Sequence, residues 1–161
     1  LKASGYKFDI MFTSVLLRAK RTGSIILKQM AQEDIKIVEN EALNERNYGD
    51  LAGLNKDEAR KKWGDDQVHK WRRSFDIAPP GGESLEMTAE RVLPYYKKNI
   101  LPLLIDNLEI VIAAHGNSLR ALVMELDKLS PEEVVKLEIP TGMPICYQVN
   151  KLGEVVAKTI M

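Results

Sequence analysis

Apolar positions along the chain switch between two periods. Short apolar runs at residues 8–13 (FDIMFT), 35–38 (IKIV) and 109–114 (EIVIAA) are bounded by polar or turn-forming residues and read as strands, the last fully buried. Between the first two, Val15, Ala19, Thr22, Ile26 and Met30 recur at helical spacing and predict a helix ending near Gln32, with Ser14 placed to accept a free amide at its start. Residues 40–55 hold two glycines, four asparagines and scattered charge without a sustained period, which predicts a long surface loop. Asn55 and Glu58 form a capping-box pattern for a helix stopping at Gly64, DDQVHKWRRSF supplies a further short helix, and APPGG at 78–82 ends it. Leu85, Ala89, Val92, Tyr96, Ile100 and Leu103 trace another helical stripe, which Pro94 and Pro102 should kink or divide. NSLRALVMEL follows the EIVIAA strand as a helix. Ser130, Pro131 and Glu133 mark one more helix start, and PICYQVN with GEVVAKTI predicts a hairpin turning at residues 151–153.

Strands alternating with helices predict an α/β fold, a mostly parallel sheet with helices on both faces, to which the C-terminal hairpin adds antiparallel pairing. A length of 161 residues suits one domain, and neither an internal repeat nor a low-complexity tract divides it. Leu1 stands first instead of Met, on a stretch that reads as a helix tail turning at Gly5, so the sequence is expected to begin within the fold.

Charge narrows the partners. Twenty-three Lys and Arg balance twenty-three Asp and Glu, which removes any general attraction for nucleic acid or an anionic membrane, so an anion site must be local. No apolar run approaches the length of a membrane span, and LKASGYKFDI lacks the layout of a signal peptide. The single cysteine, Cys146, cannot close an intrachain disulfide, and no Cys/His cluster has zinc-ligand spacing; both favour a metal-free protein of the cytoplasm.

The candidate chemistry sits where strands end. In open α/β sheets ligands gather beyond the carboxyl ends of strands, where the following helices present amides and positive dipole ends. His115 stands at such an end in VIAAHGNSLRAL; Gly116 would let an anion approach the backbone, and Asn117 or Ser118 can cap the helix carrying Arg120. The residues alone leave open a histidine that simply packs at a strand end. FTSVLLRA repeats the design with Arg18 in the first helical turn, where a cation opposes the helix dipole unless an anion is bound. Glu45 in LNERNYG is either a proton shuttle or a solvated loop carboxylate. Lys56, Arg72 and Arg73 either grip phosphate and carboxylate groups or are plain surface charge, and His69 is assigned no role.

Taken together, TSVLLRA, LNERNYGDLAGLNK, WRR, GGESL and AAHGNSLRAL resemble the cofactor-dependent phosphoglycerate mutases of the histidine phosphatase superfamily, in order and over nearly the whole chain. The resemblance implies a phosphoglycerate mutase-like fold. It also implies interconversion of 3-phosphoglycerate and 2-phosphoglycerate through a phosphohistidine, primed by 2,3-bisphosphoglycerate, in glycolysis and gluconeogenesis. Carried over by motif, Arg18 and a protonated His115 would hold the phosphoryl oxygens, and Glu45 would exchange the proton of the substrate hydroxyl. Tyr48, Lys56, Arg72 and Arg73 would position the remaining phosphate and carboxylate, with Asn117 and Gly116 lining the pocket. Family members commonly form homodimers or homotetramers.

The family nucleophile belongs to an RHG motif on a first strand upstream of FDIMFT, and the one His-Gly pair here, His115-Gly116, follows alanine. The resemblance therefore implies that these residues lack that strand and most of the first helix, and that alone they form no phosphohistidine. APPGGESL is shorter than the insertion of many mutases and resembles the bacterial forms, and the resemblance leads us to expect a chain without the mobile tail of longer members. Two rival readings remain at this point: a broad-specificity histidine phosphatase, and a catalytically dead fragment serving as a binding or assembly partner.

Overall fold

A computed structural model describes residues 1–161. Strands β1 (Ile10–Thr13), β2 (Lys36–Glu39) and β3 (Ile110–Ala113) lie in the order β2-β1-β3, all parallel, with Phe12 opposite Val38 on one side and Ile112 on the other. Parallel neighbours require long crossovers. Helix α1 (Leu17–Met30) makes the first, and the second carries α2 (Lys56–Trp63), α3 (Asp65–Arg73), α4 (Leu85–Tyr95) and α5 (Leu101–Ile105). Helices α6 (Gly116–Asp127) and α7 (Pro131–Val134) follow β3. No helix is long and apolar enough to cross a membrane.

Both sheet faces are covered, as neighbours on β1 show. Met11 and Phe12 point to opposite faces. Met11 meets α1 at Gly23, where an added Cβ would lie 2.6 Å from the Met11 sulfur. Phe12 packs with Ala89 and Val92 of α4 and with Ala121 and Leu122 of α6. Gly23 also explains a correction. The buried stripe of α1 is Ala19, Gly23, Leu27 and Met30, not Val15, Ala19, Thr22, Ile26 and Met30. Val15 lies ahead of the helix and is exposed, as is Thr22. Periodicity weighs side chains, so it misses a glycine that sets the helix phase by having none. Ser14 Oγ does accept a free amide, that of Leu16 at 3.2 Å, the residue immediately ahead of the helix proper.

Three further expectations change. β3 is half-buried because it is an edge of the parallel sheet and pairs on one side only. The hairpin β4 (Ile145–Val149) and β5 (Val155–Ile160) forms its own two-stranded sheet and shares no ladder with the parallel one. Its ties to the body are side chains, among them Lys158 Nζ on Asp127 Oδ2 of α6 at 2.5 Å. Residues 40–55 are packed, not a surface loop. They contain 3-10 turns at Glu41–Leu43 and Gly49–Leu51 and bury Leu43, Arg46 and Leu51. Leu43 joins the main core and Leu51 a smaller one with Ala59, Val68 and Trp71, so no single period describes them.

The capping boxes at Asn55/Glu58 and Ser130/Glu133 both form. Pro94 and Pro102 divide the long stripe as predicted, with a π-helical turn over Tyr96–Ile100 between α4 and α5. Tyr96 and Ile100 stay buried across it.

Candidate active site

The carboxyl ends of β1 and β3 are adjacent, and Thr13 Oγ1 donates to Ala113 O at 2.7 Å to lock them. The next residues outward meet across that junction. Ser14 Oγ lies 2.7 Å from His115 Nε2, and Arg18 Nε, from the first turn of α1, donates to His115 Nδ1 at 3.2 Å. Backbone bonds steady the histidine: Ser118 Oγ accepts from His115 N at 3.2 Å, and His115 O accepts from Leu119 N at 2.8 Å. His115 occupies the N-cap position of α6, so Ser118 bonds back from inside the helix and Asn117 does not cap it. Burial lowers the His115 pKa below its ordinary 6.5 and the Arg18 and Arg91 charges add to the effect, against an opposing pull from Glu45. The free pocket therefore disfavours the protonated ring that the family resemblance implies.

Glu45 reaches the same helix start. Its Oε1 accepts from the Arg46 amide at 2.8 Å and from the Asn117 amide at 3.1 Å, the latter in the first turn of α6 where the dipole favours a carboxylate. Gly116 lies beside it, and a Cβ there would still be 3.8 Å from Glu45 Oε2. Asn117 Nδ2 donates to Tyr48 Oη at 3.1 Å, while Asn117 Oδ1 accepts from Arg120 at 3.3 Å. Tyr48 is flanked by two guanidinium groups, Arg46 at 4.5 Å and Arg72 at 5.5 Å from its ring centre.

Arg18, Glu45, Arg46, Tyr48 and Arg72 line one cavity of roughly 630 Å³, with Leu16, Leu51 and Leu54 on its apolar side. Three arginines against one carboxylate make it cationic within a chain of zero net charge. Two of the arginines retain unfilled donors, the buried Nε atoms of Arg46 and Arg72. This donor set suits an anion bearing several oxygens. Lys56, first in α2, and Arg73, last in α3, are exposed and do not line the cavity. His69 is exposed on α3.

Sequence reasoning missed three contributors. Arg46 is 3% exposed and donates to Trp71 O at 2.7 Å, and burial lowers its pKa; its place beside Glu45 was the available signal. Ser14 carries only a capping signal in the sequence. Arg91 on α4 donates to Ala42 O (2.7 Å), Asn44 O (3.0 Å) and Glu45 O (3.2 Å) while pairing with both oxygens of Glu83, of which Oε2 also accepts from Asn47 N at 2.9 Å. That clamp spans more than forty residues of sequence and leaves no local trace.

Comparison with known proteins identifies the family. The model of the histidine phosphatase superfamily (branch 1) matches residues 2–156. The chain is 61% identical, over its whole length and 77% of the relative's, to the 2,3-bisphosphoglycerate-dependent phosphoglycerate mutase of Parvibaculum lavamentivorans. It is 56% identical over its whole length to the phosphoglycerate mutase of Schizosaccharomyces pombe, covering 76% of that protein. The alpha-ribazole phosphatase of Shigella flexneri shares the fold, with a TM-score of 0.78 at 18% identity over 94% of this chain and 72% of that one. The chain belongs to the histidine phosphatase superfamily and, within it, to the 2,3-bisphosphoglycerate-dependent phosphoglycerate mutases.

Proposed function

We infer that the cavity beyond β1 and β3 serves the interconversion of 3-phosphoglycerate and 2-phosphoglycerate, an isomerase reaction that proceeds through a phosphohistidine. The observation that carries this is the convergence of Arg18, Glu45 and Tyr48 at one cationic hollow, with His115 hydrogen-bonded to Arg18 and Asn117 to Glu45 and Tyr48. Arg18 and His115 hold the phosphoryl oxygens as charge moves between them. An approaching dianion favours the proton that burial and Arg18 disfavour in the free pocket. Glu45, fixed by two backbone amides through one oxygen, exchanges the proton of the substrate hydroxyl. Tyr48 and Arg72 position the remaining phosphate and carboxylate, with Arg46 joining them, and Gly116 and Asn117 lie beside Glu45; Lys56 and Arg73, outside the cavity lining, take that role on the family resemblance alone.

The unfilled donors of Arg46 and Arg72 suit the second acidic group of 2,3-bisphosphoglycerate, which supplies the priming phosphoryl group. No metal enters this reading. The substrates are small phosphorylated three-carbon acids, and neither nucleic acid nor membrane is a partner. The same reading places the protein in glycolysis and gluconeogenesis in the cytoplasm, as a homodimer or homotetramer with one phosphoglycerate mutase-like domain over residues 1–161.

The test is turnover by the full-length protein. Isomerisation of 3-phosphoglycerate that depends on 2,3-bisphosphoglycerate supports the reading, and His115→Ala should slow it about 10²- to 10³-fold, the usual cost of losing one charge-stabilising donor. Hydrolysis of unrelated phosphomonoesters without isomerisation would replace it with a phosphatase, and full turnover by the His115 variant would remove the role given to that residue.

A further inference from the structure

We propose that Ser14 and Arg18 are positioning residues that bracket the His115 ring and hold it neutral, with its proton on Nε2, until an anion draws Arg18 off Nδ1. The ring's own contacts carry this. A guanidinium nitrogen only donates, so the 3.2 Å bond from Arg18 Nε requires a bare lone pair on His115 Nδ1. The neutral ring then carries its proton on Nε2, which faces Ser14 Oγ at 2.7 Å. Ser14 is fully buried, and its oxygen also accepts the Leu16 amide, so it presents a fixed acceptor to the ring. The opposite tautomer and the charged ring would each set an N–H against the Arg18 N–H.

Arg18 is exposed and lines the cavity, so it is free to turn toward an arriving anion. Its departure opens Nδ1 to one proton from solvent, while Nε2–H stays on Ser14. Three charges face the ring: Arg18 from α1 and Arg91 from α4 oppose protonation, and Glu45 from the loop favours it. Removing Arg18 from Nδ1 therefore shifts this balance toward the imidazolium, the form that can donate to a phosphoryl oxygen. The bracket stands on the contacts alone; its release deepens, and rests on, the phosphoryl-binding role given to this pocket.

The chain has two histidines, and exposed His69 serves as an internal reference for long-range ¹H–¹⁵N spectra of the full-length protein. The free protein should show His115 with Nε2 protonated and Nδ1 bare. Arg18→Met, at an exposed position, should give a mixture of tautomers and move the His115 titration midpoint up toward the ordinary histidine value. Ser14→Ala should bring the Nε2–H into fast exchange with water, and Ser14→Thr, which keeps the hydroxyl, should restore its protection. A wild-type ring protonated on Nδ1, or an Arg18→Met protein with unchanged tautomer and midpoint, would overturn the bracket. Inorganic phosphate should protonate both nitrogens at a pH where the free ring is neutral. Phosphate that binds without proton uptake overturns the release step. Phosphate that does not bind removes the phosphoryl reading instead, while the phosphate-free spectra still decide the bracket.

Discussion

Arg91→Met removes the guanidinium that ties the Glu45 loop to α4 while keeping most of the side chain's volume. Arg91 gives up bonds to Glu83 Oε1 at 2.9 Å and Oε2 at 3.1 Å, and to the carbonyls of Ala42, Asn44 and Glu45 at 2.7, 3.0 and 3.2 Å. Charge-assisted bonds contribute roughly 1.5–3 kcal/mol each when measured singly, so a simple sum would exceed 7 kcal/mol. Water limits the true loss. The Arg91 and Glu83 side chains are 25% and 22% exposed, and the freed carbonyls lie on a loop able to rehydrate. Removing one partner of a buried pair costs about 3–5 kcal/mol, and discounting for this exposure leaves about 2–4 kcal/mol. Urea unfolding followed by circular dichroism reads the global part. Hydrogen exchange reads the local part: the amides of Asn47 and Asn117, which bond to Glu83 and Glu45, should exchange roughly 30- to 700-fold faster if the loop opens by itself. A stability change below about 0.5 kcal/mol with both amides still protected would refute the clamp, because it would mean that core packing alone holds the loop.

Four other outcomes follow from the same geometry. Glu45→Gln keeps an oxygen to accept the Arg46 and Asn117 amides but cannot take a proton, so full-length turnover should fall about 10²- to 10⁴-fold with little change in the urea midpoint. His115 has a folded pKa below its ordinary 6.5, so the native state binds fewer protons than the unfolded chain; its stabilising contribution is complete above pH 6.5 and is lost as pH falls through the folded value, and His115→Gln should flatten that stretch of a stability-versus-pH curve. Glu83 acts in a lower window. Burial raises its pKa, but the Arg91 hydrogen bond and the Asn47 amide outweigh burial and leave it lowered, so its contribution is present above 4.5 and lost on further acidification, which Glu83→Gln should show in the same titration. Gly23→Leu must displace the Met11 sulfur, which would lie 2.6 Å from the new Cβ in a core where Met11 is 1% exposed; a loss of about 1–3 kcal/mol is expected in urea unfolding, partly recovered by adding Met11→Ala.

What the sequence showed follows the range of the interactions. Capping boxes at Asn55 and Ser130, the glycine stop at Gly64 and the hairpin turn are decided within a few residues, and all formed where their patterns stand. His115 and Arg18 were legible because each follows an apolar strand directly, and the adjacency of the two strands then brought them together. The phase of α1 was not legible, because it depends on a missing side chain at Gly23 meeting Met11 across the sheet. The ordered path of residues 40–55 was equally hidden. It is held by Arg91 from another helix and by leucines that enter two separate cores, none of which produces a local period. Lys56 and Arg73 show the reverse limit, since a motif names them while the fold leaves them exposed at the ends of their helices.

The charge arrangement bears on the size of the ligand as well as its sign. A phosphoryl group bound between Arg18 and His115 would satisfy the end of the cavity beyond the two strands. It would not reach every donor. Arg46 and Arg72 crowd Tyr48, and each keeps a buried Nε without an acceptor, although Arg46 is 3% exposed and already gives one bond to Trp71 O. A buried, incompletely paired guanidinium destabilises the fold, and nothing about the surrounding core of Leu51, Val68 and Trp71 requires one there. Glu45 relieves it only in part: its charge favours the Arg46 guanidinium, but no hydrogen bond joins the two side chains, and its Oε1 accepts the backbone amides of Arg46 and Asn117. An anion with acidic groups at two separated positions would meet both ends at once, and a phosphorylated three-carbon acid has that form. At a ligand concentration one hundred times its Kd, preferential binding to the native state returns about 2.7 kcal/mol, comparable with the cost of one such buried unpaired group.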